Sequence, residues 1–249
     1  MVLHFHGGAY VMGDGRSTNC GFLAQLLLKQ AGASHVFCPQ YRLACNAGGR
    51  FPAALQDAVT SYVHLTHSMK IPPHRIVVSG DSAGGHLALN LLRYIEEHAS
   101  PDLCAPKCAW LFSPWSDVSA ALDPKTWLGS PNYRTDYVPA KFAAWGATAF
   151  LLKHRADQMP YASPLRHPFK TKTPIFVHTG GVEVLHQNNI ELVDGMKSIV
   201  ENKVELHVEN GAPHDIMLIG NVLGFSDQAK RGAQLAGAFA LRAAASNGP

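Results

Sequence analysis

The sequence predicts an α/β fold built on a mostly parallel sheet of about six strands, and three observations point to it. Short apolar runs alternate with longer segments of helical period, the pattern of parallel strands joined by crossover helices. Most of those runs are continuous rather than alternating, as in strands covered by helices on both faces. The 249 residues, 47% apolar and 16% charged, can build a large core and argue against disorder.

Val2–His6 opens the chain as a strand. Asn19–Ala31 gathers Phe22, Leu23, Leu26 and Leu27 on one helical face and ends at Gly32, a natural helix-stop glycine. His35–Pro39 is the second strand. Phe51–Ser68 spaces Leu55, Val59, Tyr62 and Val63 as a helix and stops before Pro72 and Pro73. Arg75–Ser79 is the third strand, and Gly84–His98 is a helix with Leu87, Leu91 and Ile95 at i, i+4 and i+8 before Pro101. Cys108–Ser113 is the fourth strand. From Ser116 to Pro164, Pro, Trp and Tyr scatter among polar residues around one helical segment, Pro139–Lys153. This stretch reads as an insertion at the carboxyl end of the sheet, a wall or lid over a ligand crevice. Pro174–Thr179 and Val204–Val208 are the last strands, with helices Leu185–Val200 and the Ala-rich Ser226–Ser246 after them. No repeat or low-complexity linker divides the chain, so residues 1–249 read as one domain with the insertion at 116–164.

The 21 Lys+Arg and 18 Asp+Glu are scattered, which leaves no basic stripe for nucleic acid. No run reaches the ~20 apolar residues of a membrane span. His4, His6 and two glycines interrupt the start where a signal peptide needs an apolar stretch, and five cysteines at irregular spacing suit reduced thiols. A soluble, cytoplasmic protein is expected.

Gly80-Asp81-Ser82-Ala83-Gly84-Gly85 follows a strand and opens a helix, the context that G-x-S-x-G requires. Glycines flanking the serine permit a sharp turn that lifts the Ser82 hydroxyl out of the sheet as a nucleophile and frees the Ala83 N–H. His6-Gly7-Gly8-Ala9 follows the first strand. The N–H groups of Gly7 and Gly8, with that of Ala83, would form an oxyanion hole for acyl transfer. A serine hydroxyl needs a base, and chain order in this architecture runs nucleophile, acid, base. His214, in the loop after Val204–Val208, is therefore the expected base among fourteen histidines. Glu183, in the loop after Pro174–Thr179, is the expected acid. Asp194 and Glu191 come too late on the following helix, and Asp215 reads as a solvated neighbour of the base.

Metal binding is not expected. Cys104 and Cys108 lack a second ligand pair, while His4/His6 and His64/His67 lack a third ligand at suggestive spacing. His6 instead reads as a brace for the oxyanion loop. Gly13-x-Gly15 is half a dinucleotide fingerprint, too little for a nicotinamide site. The aromatic insertion should supply substrate contacts, with Trp115, Tyr133 and Trp145 the leading candidates beside Trp127 and Phe150.

In family order along nearly the whole chain stand His6-Gly7-Gly8-Ala9-Tyr10, Tyr41-Arg42-Leu43-Ala44, Phe51-Pro52-Ala53-Ala54, Gly80–Gly85, Ser113-Pro114-Trp115, Ser163-Pro164-Leu165, Glu183-Val184-Leu185 and His214. In these segments the chain resembles the hormone-sensitive-lipase-like branch of the α/β hydrolases, which includes many microbial and fungal carboxylesterases. The resemblance implies the α/β-hydrolase fold, a Ser82/Glu183/His214 triad, an oxyanion hole from Gly7, Gly8 and Ala83, and hydrolysis of short or medium acyl esters with no cofactor. Members of that branch normally carry cap helices and two strands ahead of the strand that here begins at Val2. Either that extension is absent or the chain is a truncated form; without it the strand His35–Pro39 becomes a sheet edge and the acyl pocket opens. Chain-length selectivity should then loosen, and a partner subunit, as in a homodimer, would cover the gap. Cys45 stands where the branch usually has proline, a change expected to touch only a local turn.

The expected activity is thus a serine hydrolase acting on a small-molecule ester. The alternatives are acyl transfer or cyclisation with the same triad in a biosynthetic pathway, and a non-catalytic ligand-binding relative. An intact Ser82, Glu183 and His214 weigh against the latter.

Overall fold

The computed structural model describes residues 1–100, 103–151 and 158–245. Six strands form one sheet: β1 (Val2–Phe5), β2 (Val36–Phe37), β3 (Val77–Asp81), β4 (Cys108–Phe112), β5 (Ile175–Gly180) and β6 (Val204–Glu209). Their order is β2-β1-β3-β4-β5-β6 and every pairing is parallel. All six expected strands are present. β2 shrinks to two residues at one edge, where only β1 pairs with it. β3 runs two residues past the expected Ser79, so Asp81 ends the strand and Ser82 begins the turn.

Period two explains why both faces are buried. Leu3, Phe5, Val78, Ala109, Leu111, Ile175 and Val177 face one core. Their strand neighbours Val2, Val77, Cys108, Trp110, Phe112 and Phe176 face the other. Helices α2 (Ala53–Val63) and α3 (Ala83–Glu97) bring Leu55, Tyr62, Leu87, Leu91 and Ile95 to the first core. Helix α1 (Ser17–Lys29) closes the second core with Leu23, Leu26 and Leu27. The expected helix Phe51–Ser68 is α2 continued by a π turn at His64–Ser68.

The insertion carries α4 (Pro124–Leu128), α5 (Ala140–Phe150) and α6 (Met159–Ala162). The expected end of its long helix, Lys153, lies outside the described residues. A Cβ on Gly146 of α5 would sit 2.5 Å from the Ala9 carbonyl oxygen, so glycine lets the insertion rest directly on the loop after β1. Phe150 stacks on Tyr10 of that loop at 4.3 Å between ring centroids.

After β5 comes α7 (His186–Lys197); after β6 come α8 (Ile216–Leu223) and α9 (Ser226–Ala245), whose expected last residue, Ser246, lies outside the described residues. Ala229, Ala233, Ala236 and Phe239 of α9 complete the second core. No described helix is long and apolar enough to cross a membrane.

Candidate active site

The loops after β1, β3, β4, β5 and β6 converge at the carboxyl ends of the strands, where a parallel sheet forms its ligand crevice. The turn after β3 is the tightest of them. Ser82 is held at φ 49 and ψ −115, a conformation non-glycine residues rarely adopt. The surroundings fix it there: Ser82 N–H donates to the Phe112 carbonyl at 2.9 Å, and its own carbonyl accepts from Trp115 N–H at 2.9 Å and His86 N–H at 3.1 Å. The flanking glycines are needed for close approach. A Cβ on Gly80 would lie 2.1 Å from the Gly84 carbonyl oxygen, and one on Gly84 would lie 1.9 Å from that of Phe5.

This turn points the Ser82 hydroxyl at His214, whose Nε2 is 2.9 Å from Oγ. On the far side of the imidazole, Nδ1 faces Glu183 Oε2 at 3.6 Å. That is longer than a hydrogen bond, and such contacts commonly tighten only when substrate binds. Glu183 is fully buried. Its carboxylate accepts from Ser113 Oγ at 2.5 Å, Thr179 Oγ1 at 2.5 Å and Asn189 Nδ2 at 2.8 Å. Burial alone would raise the Glu183 pKa, but His214 and then the Ser113 and Thr179 donors outweigh it and hold the carboxyl below its ordinary range. Burial likewise pulls His214 down, and the Glu183 carboxylate, then Asp136 and Asp81, more than offset it, so the imidazole titrates above its ordinary value. A hydroxyl, an imidazole and a carboxylate in this relay can deprotonate the serine and stabilise the imidazolium that results.

Two backbone features accompany the relay. Ala83 is the first residue of α3, so its N–H has no intrahelical acceptor and lies at the positive end of the helix dipole. After β1, Gly8 turns the chain at φ 102 and its carbonyl accepts from both Val11 and Met12 N–H at 3.0 Å. The amides of Gly7, Gly8 and Ala83 are engaged by no turn or cap hydrogen bond of the described residues. A Cβ on Gly7 would come within 2.3 Å of Asp81 Oδ2 and 3.2 Å of Ser82 Cβ, so only glycine brings this loop so close to the serine. His6 braces the loop as expected: its Nδ1–H donates to the Gly7 carbonyl at 2.8 Å, and its ring stacks on Tyr41 at 4.3 Å.

Ser82 and His214 open into a largely apolar cavity of about 180 Å³. Trp127, Tyr137, Val138 and Phe142, from the segment 116–164, form one wall of this cavity. Trp115 lines the cavity; Tyr133 and Trp145 do not. Tyr133 packs against the main core. Trp145 is 51% exposed, on the outer side of α5 beside Cys45 and Arg50. Phe150 is core, stacked on Tyr10. Leu218 and Ile219 of α8 form a further part of the lining that sequence reasoning missed.

Asp215 is not a solvated neighbour. It is 2% exposed, caps α8 by accepting from Leu218 N–H at 3.3 Å, and its own N–H donates to Ser113 Oγ at 3.1 Å. Burial, then the facing Asp81 carboxylate, pushes its carboxyl well above the usual range. Ser113 thus joins the acid to the loop of the base. Ser113, Thr179, Asn189 and Asp136 are site residues that the sequence reading did not single out; only Ser113 stood in a quoted motif.

Among the described residues one group, His178, His207 and Glu209, brings metal-ligating atoms within 4.8 Å of one another. Both Glu209 oxygens are already bonded to Arg231, Oε1 to Nη2 at 2.5 Å and Oε2 to Nε at 3.1 Å.

A family model described as the alpha/beta hydrolase fold matches residues 2–218. The chain is 30% identical to an acetyl-hydrolase of Streptomyces hygroscopicus over 187 residues, covering 75% of this chain and 58% of that protein. It is 29% identical to an ethyl acetate hydrolase of Pseudomonas putida over 234 residues, covering 91% of this chain and 69% of that one. The chain therefore spans roughly three fifths to two thirds of the length of these relatives. A crystal structure of an esterase from the bacterial hormone-sensitive lipase family superposes with a TM-score of 0.81 at 26% identity, covering 98% of this chain and 77% of that one.

Proposed function

This chain belongs to the α/β-hydrolase fold family, on its hormone-sensitive-lipase-like side, and from that premise we propose that it hydrolyses carboxylic esters of short to medium acyl chain. One observation carries the reading: the Ser82 hydroxyl, on its strained turn, lies 2.9 Å from the Nε2 of His214, with buried Glu183 behind the imidazole. The relatives named acetyl-hydrolase and ethyl acetate hydrolase support small acyl groups.

In this proposal residues 1–249 act as one domain, with the segment 116–164 walling the acyl site. His214 takes the Ser82 proton as Oγ attacks the ester carbonyl, and the carbonyl π electrons move onto its oxygen. The Gly7, Gly8 and Ala83 N–H groups receive that oxyanion. Collapse of the tetrahedral intermediate breaks the bond to the alcohol, which leaves with the proton from His214. Water, deprotonated by the same imidazole, then attacks the acyl-serine and releases the acid and free Ser82. Glu183 keeps Nδ1 protonated and stabilises the imidazolium in both halves.

Two measurements test this. The first is turnover of p-nitrophenyl esters from C2 to C12. The relatives that the chain resembles are named for acetyl groups. Acetyl and butyryl esters should therefore be the best substrates, with kcat/KM falling about tenfold or more by C12. No ester turnover by the folded protein would contradict the activity, and undiminished turnover at C12 would contradict the chain-length assignment. The second is the pH profile. The base must be neutral to act, and its pKa is raised, so kcat/KM should rise with pH through a midpoint above ~6.5. A midpoint below 6 would contradict the role of His214.

A further inference from the structure

Resting on the hydrolase reading above, the geometry points to Asp136, in the insertion, as a positioning residue that ties the loop of the acid to the loop of the base. We infer that its carboxylate holds Glu183 and His214 in working register while the insertion walls the cavity.

The hydrogen bonds are specific. Asp136 Oδ2 accepts from Val184 N–H, the residue after the acid, at 2.7 Å. Its Oδ1 accepts from the backbone N–H of His214 at 3.2 Å and from Tyr137 N–H at 2.8 Å. One half-buried side chain therefore joins two loops that leave neighbouring strands, and does so past the last backbone bond between them, from Val182 N–H to the Ala212 carbonyl at 3.1 Å. Its own segment is anchored to the acid loop. Asn132 Nδ2 donates to the carbonyls of Gly181 and Glu183 at 3.3 and 3.1 Å, and Thr135 Oγ1 donates to that of Val182 at 2.9 Å. Tyr137 and Val138, the next two residues, line the cavity. The strap thus links the substrate wall directly to the relay, across a 3.6 Å gap between Glu183 and His214 that no hydrogen bond closes in the free protein.

A carboxylate suits this position because all three partners are N–H donors, and only an acceptor with two oxygens can serve both loops. Asparagine keeps one oxygen and turns an NH₂ group toward the other donor. One loop would lose its tether while the side-chain volume stays the same. The relay needs placement to better than about 1 Å, and misplacement of that size costs about 10²-fold. Asp136 also contributes to the field at His214. The other titratable groups around that imidazole are Glu183 after β5, Asp81 at the end of β3, Asp215 at the start of α8 and Tyr137, whose ring lies 6.2 Å away. With Asp136 neutralised, His214 would titrate lower than before.

The test compares Asp136→Asn and Asp136→Ala with the unaltered chain and with Ser82→Ala, each checked for folding by circular dichroism and thermal unfolding. Asp136→Asn should lower kcat about 10- to 100-fold with KM within about threefold, and its kcat/KM acid limb should move to lower pH. Asp136→Ala should lose at least as much. Wild-type kcat in folded Asp136→Asn, or a lower kcat with an unmoved acid limb, would overturn the inference. If Asp136→Ala fails to fold, Asp136→Asn alone decides. Ester turnover that survives in Ser82→Ala would instead overturn the hydrolase reading on which the inference rests.

Discussion

Ester turnover should collapse in Ser82→Ala, with kcat falling by about 10³- to 10⁶-fold and the fold intact. The size of the effect follows from what the hydroxyl does. It is the only atom of the relay that would bond to the substrate, and without it His214 has no proton to take. What remains, the Gly7, Gly8 and Ala83 amides and the cavity, can bind and polarise an ester but cannot form an acyl-enzyme. Folding should be spared because alanine keeps the Cβ, so the strain of φ 49 is unchanged, and the backbone bonds to Phe112, Trp115 and His86 do not involve the hydroxyl. The one lost hydrogen bond, to His214 Nε2, faces the cavity and can be replaced by water, at a cost of about 1 kcal/mol. Steady-state kinetics on p-nitrophenyl butyrate, beside a melting curve, read both halves. Turnover within tenfold of the unaltered chain would remove Ser82 from the chemistry.

Glu183→Gln should cost about 10²- to 10⁴-fold in kcat. The carboxylate is fully buried and ionised among three donors, from Ser113, Thr179 and Asn189, and stands 3.6 Å from His214 Nδ1. Glutamine removes the charge that stabilises the imidazolium and sets its NH₂ group against at least one donor. The unsatisfied group costs about 1–3 kcal/mol of stability, so the melting temperature should fall as well. The pH dependence has a definite sign. Because the Glu183 pKa is depressed in the folded chain, its stabilising contribution is present above the unfolded value of ~4.3 and is lost as pH falls through the folded value. The variant should lose that component of acid denaturation, and its kcat/KM acid limb should move down with the His214 pKa. Near-wild-type kcat in the folded variant would exclude Glu183 as the partner of the base.

Most of the fold was legible because the strands are the rows of apolar residues that a doubly covered sheet demands. Helix α8 was not. Its sequence, Ile216 to Leu223, is apolar apart from Gly220 and Asn221, so it has no polar period to announce a helix. Missing α8 also hid Asp215. A carboxylate beside a loop histidine reads as solvated until the helix it caps is known.

The site divides in the same way. Ser82, Glu183 and His214 are brought together because each follows a strand of one parallel sheet, so order along the chain implies proximity in space. Tyr133 and Trp145 missed the cavity because residue type says nothing about facing in an irregular segment. Asp136 left no trace in the sequence, since its partners are backbone amides, which every residue but proline carries.

Mass analysis of the protein after treatment with an organophosphate tests the central proposal most directly, because only a serine activated by its neighbours reacts rapidly. A single adduct on the peptide carrying Ser82, absent from Ser82→Ala, is the expected result. An adduct on another serine, or none on a folded chain, would contradict it.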